Sequence, residues 1–173
     1  GERQVTALFT DIEGFSTLAQ KIGPHDLVKL LDIYFSEVNA LVDLLRGDHE
    51  GQKVLVFSEY KDTADYVAGA LEAAGVDNVG LATGDSTDPA DVARRFSPRS
   101  NRLPGQRIDE VKAPEDPIDV LVATDVLSEG QNLQDSHVIV NYDLPWAIIR
   151  LIQRAGRVDR VGQESDTVHV YLI

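Results

Sequence analysis

Short apolar runs alternate along this chain with longer stretches in which apolar residues recur every three or four positions. Four runs, at 53–58, 79–83, 120–123 and 138–140, have the length and composition of buried strands, and a fifth strand is predicted at 167–172. Strands that alternate with helices predict a mainly parallel sheet with helices on both faces, joined by right-handed crossovers. We therefore expect an α/β fold, a three-layer α/β/α sandwich.

The clearest predicted helix begins at Asp26 and ends at Gly47. Its apolar residues repeat at three- and four-residue spacing, at Leu27, Leu30, Leu31, Tyr34, Val38, Leu41, Val42 and Leu45. Two further helices are predicted between the strands, one over 62–74 with Gly75 as its stop and one ending at Phe96 with Thr87 or Asp88 as its N-cap. Before the long helix we predict a strand at 5–10 and a short helix at 15–22.

The stretch 97–117 interrupts this alternation. It contains four prolines, at positions 98, 104, 114 and 117, together with most of a basic patch. Prolines and charges at this density neither continue a helix nor fill a central strand. We predict a long, mobile surface loop.

Length and composition favour a single compact domain. The chain has 173 residues, a hydrophobic content of 43% and no cysteine, which excludes disulfides and thiolate metal sites and fits a reducing compartment. No apolar run approaches the length of a membrane span, and no leader pattern is seen, so a cytoplasmic protein without a membrane partner is expected.

The formal net charge of -13 argues against a simple nucleic-acid binder, because neutralisation of phosphates by Lys and Arg dominates such affinity. The charge is uneven, with basic patches at 94–112 and 150–160. Two local patches on an acidic body could hold a phosphate chain in one groove. The alternative for the first patch is an ordinary solvated loop.

A polar loop follows the run at 120–123. Its candidate ligand-binding residues are Thr124, Asp125, Ser128, Glu129, Gly130 and Asn132. Open α/β sheets bind ligands at the carboxyl edge of their strands, where this loop is expected to lie.

Arg157 and Arg160 are three residues apart, so on a helical turn they would project from the same side. Two guanidiniums on one face can clamp an anion, phosphate above all. A solvated basic helix end is the alternative, since arginines at this spacing are common on helix surfaces.

Gln153, Gly156, Arg157 and Arg160 match the Q-x-x-G-R-x-x-R motif of superfamily-two helicases. The segment 124–132 resembles the preceding conserved loop of that family, and the ending at 160–163 resembles its Swi/Snf-like branch. The resemblance implies the second of two RecA-like lobes, related to P-loop NTPases. It also implies that the paired arginines act as fingers on a nucleotide held by the first lobe, and that these residues bind nucleotide or nucleic acid.

The segment 5–18 resembles the opening strand and turn of class III nucleotidyl cyclases, and 31–38 resembles their next helix. This resemblance implies that Asp11 and the main-chain carbonyl of Ile12 bind metal ions. An Asp beside a glycine turn suits Mg²⁺, although Asp is also a favoured turn and cap residue.

The two resemblances meet between 41 and 51, which divides the chain into a cyclase-like segment at 1–45 and a helicase-like segment at 46–173. The sequence contains neither the G-x-x-x-x-G-K-[ST] loop of a helicase motor nor the second metal aspartate of a cyclase. We therefore expect a natural or designed chimera, with an added N-terminal βα unit and no self-sufficient activity. It would require no cofactor, retaining at most residual Mg²⁺ and ATP binding, and could dimerise through an exposed sheet edge.

The alternative function is a helicase-lobe module. Such a module would bind nucleic acid or nucleotide phosphate weakly and supply its arginine fingers in trans to a separate ATP-binding lobe.

Overall fold

A computed structural model describes residues 36–128, 131–143, 145 and 147–173. The predicted strand at 5–10, the short helix at 15–22 and the metal-site residues Asp11 and Ile12 lie outside the described residues, as does the first part of the long helix.

The described residues form five strands and four helices, which we number in chain order. The helices are α1 (36–46), α2 (Lys61–Ala73), α3 (Pro89–Phe96) and α4 (Ile148–Val158), and the strands are β1 (Val54–Phe57), β2 (Val79–Ala82), β3 (Val120–Ala123), β4 (Val138–Asn141) and β5 (His169–Leu172). Short 3-10 turns at Ile108–Glu110 and Asp125–Ser128 complete the set. Every strand predicted within this part of the chain is confirmed.

The strands form one parallel sheet in the order β2-β3-β1-β4-β5. Val54 of β1 lies opposite Val120 on one side and Val138 on the other. All residues of β1, β3 and β4 are buried, as expected for continuous apolar runs covered on both faces. β5 is largely exposed at one edge of the sheet.

Two apolar cores cover the two faces of the sheet. One contains Leu41 of α1 and Leu71 of α2 packed with Val54 and Val56. The other contains Phe96 of α3 and Val158 of α4, with Phe57 and Leu121 among the strand residues. The helices therefore form two layers around the sheet, and the predicted three-layer α/β/α sandwich is confirmed.

The predicted helix ends are also confirmed. Gly75 adopts a φ of +77° just after α2, a conformation that favours glycine. The side chain of Asp88 caps α3 by accepting a hydrogen bond of 2.9 Å from the backbone N–H of Asp91. Both features depend only on residues that are close together in the sequence, which explains why the sequence predicts both.

The first part of the 97–117 loop is tied to the body of the domain. Asn101 Nδ2 donates to the carbonyls of Ser97, at 2.8 Å, and Asn132, at 2.7 Å. The carboxylate of Asp135 accepts from the backbone N–H groups of Arg99 and Ser100, each at 2.8 Å. The loop is irregular, as predicted, and its mobility stays a prediction.

Across the described ranges, no helix combines the length and apolar character needed to cross a membrane.

Candidate functional site

Polar residues from three neighbouring strands meet at the carboxyl edge of the sheet. The chain leaves β1 toward β2 on one side and leaves β4 toward β5 on the other, although β1 and β4 are neighbours. Strands whose connections diverge in this way open a crevice between them, which is where open α/β sheets bind ligands. The crevice here is bordered by the residues that follow β1, β3 and β4.

Arg154 of α4 lies at the centre of this region, with only 2% of its surface exposed. Its Nε donates to Oδ1 of Asp125 at 2.9 Å, and its Nη1 donates to Oδ1 of Asn141 at 3.1 Å. The guanidinium also lies 5.1 Å from the centre of the Phe57 ring. Buried charges are tolerated when paired and hydrogen-bonded, so Arg154 is held as a structural group.

A second carboxylate joins the ends of β1 and β4. Asp143, after β4, accepts a 2.6 Å hydrogen bond from the Ser58 hydroxyl, after β1. It also accepts from the backbone N–H of Glu59 at 2.8 and 2.9 Å. These bonds fix the spacing of the two strand ends that border the crevice.

Arg150 bridges the two sides of the same edge. Its Nη1 lies 2.7 Å from Oε1 of Glu59 and 3.1 Å from Oδ2 of Asp125. Arg150 and Arg154 are four residues apart on α4, so both reach Asp125 from one helix face. Their positive charges are therefore matched by carboxylates.

Arg157 follows on the same face but makes no such pair. Its side chain has no hydrogen bond or salt bridge to any residue that the structure describes. It lines a cleft of about 230 Å³ together with Phe57, Asp125, Arg150, Gln153 and Arg154, which we call the narrow cleft. An unpaired guanidinium beside a fixed network is suited to bind an anion.

The expectation that Arg157 and Arg160 share a helical turn is wrong. α4 ends at Val158, and Asp159 has a non-helical ψ of 82°. The side chain of Gln163 donates to the Val158 carbonyl at 3.1 Å and to the Ser136 carbonyl at 2.8 Å, which ends the helix and turns the chain away. Arg160 consequently lines a different, wider cleft.

Among the other predicted site residues, Asp125 and Gln153 line the narrow cleft with Arg157, whereas Asn132 lines the wider cleft with Arg160. Thr124 is buried at the end of β3, and its backbone N–H donates to the Ala82 carbonyl at 2.9 Å.

Four further predicted positions remain. Gly156 is exposed on α4 with open space where a Cβ would stand. Glu129, Gly130 and the side chain of Ser128 lie outside the described residues. The binding roles of all these residues stay predictions.

Sequence reasoning missed the residues that build the network. These are Ser58, Glu59, Asn141, Asp143, Arg150 and Arg154. A usable signal was present, since Asn141 and Asp143 end or follow a buried strand just as Thr124 and Asp125 do. Arg154 lies inside the motif that drew attention to Arg157.

No group of three or more His, Asp or Glu side chains within the described ranges is arranged to hold a metal ion. The carboxylates of Glu59 and Asp125 are instead paired with Arg150 and Arg154 of α4.

The chain matches the model of a protein family and is similar in sequence to several known helicases. The model of the helicase conserved C-terminal domain matches residues 36–162. The chain is 35% identical over 136 residues to the uncharacterized ATP-dependent helicase YqhH of Bacillus subtilis, covering 79% of this chain and 21% of that protein. It is 38% identical over 128 residues to the ATP-dependent RNA helicase RhlB of Shewanella piezotolerans, covering 74% of this chain and 25% of that protein.

A solved structure shares the fold. The second domain of the DEAD-box helicase Mss116p, bound to an RNA duplex, superposes with a TM-score of 0.57 at 20% identity, covering 80% of this chain and 48% of that one. The described part of the chain thus has the architecture of a RecA-like second lobe. The chain spans only a fifth to a quarter of the length of the two curated relatives.

These matches overturn the expectation of a natural or designed chimera without activity of its own. The matched family region begins at residue 36, before the predicted junction at 41–51, and therefore includes α1. The alignment with YqhH covers more of the chain than 46–173 could supply. The helicase resemblance is confirmed.

Proposed function

Because this chain belongs to the helicase conserved C-terminal domain family, we propose that it acts as the second lobe of a nucleic-acid-dependent ATPase. In this role it supplies an arginine to a nucleotide that a separate ATP-binding lobe holds. The two lobes would close on the nucleotide, with the narrow cleft of this lobe facing the phosphates.

The observation that carries the proposal is the difference between Arg154 and Arg157. Arg154 is buried and paired with Asp125 at 2.9 Å, so its charge is already neutralised. Arg157 lines the same cleft, and its guanidinium has no partner among the described residues. An arginine finger must present a free guanidinium to the charge that develops on a transferred phosphoryl group. Arg157 meets that requirement, and Arg154 holds the helix that carries it.

The chain does not provide its own phosphate-binding loop. Its sequence has no G-x-x-x-x-G-K-[ST] segment, in which backbone N–H groups cradle phosphates and a lysine reaches them. Mg²⁺ and ATP would therefore be bound by the partner lobe, and the contribution of this lobe is electrostatic. The much greater length of the curated relatives leaves room for such a lobe.

Nucleic acid is the second ligand of the proposal. The second domain of Mss116p is described as bound to an RNA duplex, and this chain shares its fold. We extend that property to this chain, whose two clefts are lined by five arginines despite a net charge of -13. Binding should weaken steeply with added salt, because it depends on displacement of counterions from phosphates.

The test mixes the purified chain with an isolated ATP-binding lobe from the YqhH relative and measures phosphate release. The wild-type chain should raise the ATPase rate of that lobe, and the Arg157→Ala variant should not. An arginine finger contributes on the order of 10³- to 10⁵-fold, so a large loss is expected. Arg94→Ala, at an exposed position of α3, is the matched control and should stimulate like the wild type. Equal stimulation by Arg157→Ala would reject the proposal.

A further inference from the structure

The first two turns of α4 carry an exposed apolar surface. Ile148, Ile149 and Ile152 are 73%, 56% and 63% exposed, and all three lie outside the two apolar cores that the described residues form. Helix residues three and four positions apart are neighbours, so Ile152 joins the other two into one patch. We call this patch the isoleucine face.

Formation of the helix does not explain these residues. Isoleucine is β-branched and forms helices less readily than leucine, lysine or glutamine, which are common on exposed helix surfaces. A surface helix normally turns one apolar stripe toward the core, and α4 already does so with Ala155 and Val158. The isoleucine face is therefore a second apolar face of the same helix. Adjoining exposed apolar side chains of this kind mark sites of interaction.

The isoleucine face continues into the narrow cleft. Ile149, Gln153 and Arg157 follow one another at four-residue spacing, so they form one row along α4. Gln153 and Arg157 line the narrow cleft. Ile152 precedes Arg157 by about 7.5 Å along the helix axis. A body that brings a nucleotide to Arg157 therefore also meets the isoleucine face.

The size and charge of the surface favour a partner domain over a second copy of this chain. Three side chains supply only part of the about 800 Å² that each partner buries in a stable interface between separate proteins. A second copy would also bring a further net charge of -13. Smaller interfaces suffice between domains of one chain, because a linker keeps the local concentration high. The curated relatives are much longer than this chain.

We propose that the isoleucine face of α4 is the surface on which the ATP-binding lobe docks, through an apolar surface of that lobe. The isoleucines hold the partner lobe in place, and Arg157 acts on the nucleotide that the lobe carries. Affinity between the lobes and the rate of ATP hydrolysis consequently depend on different residues of one helix. The partner is identified through the proposed function, on which this inference rests.

The first test measures binding. The chain is titrated into a fluorescently labelled ATP-binding lobe of the YqhH relative, and the anisotropy is followed. Replacing Ile149 and Ile152 together by Gln should weaken binding about tenfold or more, because two aliphatic side chains no longer leave water. Glutamine adds no charge and suits a helix, so the melting temperature should not fall. Val170→Gln, at a half-exposed position of the edge strand β5, is the matched control and should bind like the wild type.

Two outcomes of this titration would overturn the inference. One is equal binding by the double variant and the Val170→Gln control. The other is the absence of saturable binding by the wild-type chain up to about 1 mM, the effective concentration that a short linker supplies. Sedimentation of the chain alone tests the other occupant. We expect a monomer, and a dimer that the double variant dissociates would assign the isoleucine face to a second copy and reject the proposal.

The second test separates docking from chemistry. In the ATPase assay the double variant should need about tenfold more chain for half-maximal stimulation but should reach the wild-type maximal rate. Arg157→Ala keeps the isoleucine face, so it should bind the partner lobe and compete with the wild-type chain. A lower maximal rate for the folded double variant, with an unchanged half-maximal concentration, would contradict a docking role.

Failure of this inference can be told apart from failure of the proposed function. Normal binding by the double variant, together with lost stimulation by Arg157→Ala, would reject only the docking surface. Weakened binding by the double variant, together with full stimulation by Arg157→Ala, would reject only the role of the arginine.

Discussion

The two clefts differ in how their walls are held together. In the narrow cleft, charged side chains from different elements pair with one another, with Arg154 buried against Asp125. In the wider cleft, side chains of the 97–117 loop bond mainly to backbone groups, as Asn101 does to the Asn132 carbonyl at 2.7 Å. The pairing in the narrow cleft fixes the charge of Arg154 at one position. The bonds to backbone groups in the wider cleft hold the loop in place and leave the arginines of that cleft without a carboxylate partner among the described residues.

This difference explains why three arginines of one short motif have different environments. Arg154 is neutralised inside the domain, Arg157 lines the narrow cleft without a partner among the described residues, and Arg160 lies beyond the helix in the wider one. Burial, and not charge alone, separates a structural arginine from one available to a ligand. Substitutions in the two clefts should accordingly affect different properties.

The largest change in stability is expected for Arg154→Leu. It leaves Oδ1 of Asn141 without its donor and Asp125 without its closest cation, although Asp125 keeps some contact with solvent. We expect a loss of about 3 kcal/mol in the free energy of unfolding, the lower end for breaking a buried pair. Urea denaturation measures it. Arg94→Leu, whose ion pairs are exposed, should cost at most about 1 kcal/mol. Similar costs for both variants would show that Arg154 is not a structural group.

A smaller effect is expected when the anchor of the wider cleft is removed. Asp135→Ala eliminates a carboxylate that accepts from the backbone of Arg99 and Ser100, at 2.8 Å each. Hydrogen bonds to a charged acceptor contribute about 1.5 to 3 kcal/mol, and this one is partly solvated, so the lower value is expected. Hydrogen exchange should quicken at the Arg99 and Ser100 amides and not in β1. Asp109→Ala, in the same loop, is the control, and equal exchange in the two variants would contradict the assignment.

Acidification should weaken the β5 edge. Burial and the neighbouring rings of His169 and His49 lower the pKa of His137 below its usual value of about 6.5. The folded state then binds a proton less readily than the unfolded state, so stability falls as the pH drops through the usual value and levels off below the folded pKa. His137→Asn should reduce the fall in melting temperature between about pH 7.5 and about pH 5.5. An unchanged fall would contradict this cause.

The parts of the fold that the sequence predicts are those fixed by local pattern. The apolar runs of β1, β3 and β4 fit only strands covered on both faces, and Asp88 and Gly75 mark helix ends by their own conformational preferences. The buried network could not be predicted in this way. It depends on Asp125, Asn141 and Arg154, which are distant in sequence and meet only after the sheet has formed.

Two expectations failed. The position of Arg160 depends on Gln163, whose side chain binds the Val158 carbonyl and ends α4, a tertiary contact that residue spacing does not reveal. The chimera was inferred because a resemblance of 5–18 and 31–38 to class III nucleotidyl cyclases meets the helicase resemblance between 41 and 51. The helicase family match begins at residue 36 and runs across that junction, so the junction does not mark a boundary of the helicase domain.

The central claim, that Arg157 is the free arginine of a helicase second lobe, is tested most directly by one rate. This is the ATPase rate of an isolated ATP-binding lobe in the presence of the Arg157→Ala chain, at a temperature where that variant is fully folded. We predict that the single substitution removes most of the stimulation, on the order of 10³-fold, with no change in melting temperature. Stimulation within about twofold of the wild type would contradict the claim, since an arginine finger contributes far more than that.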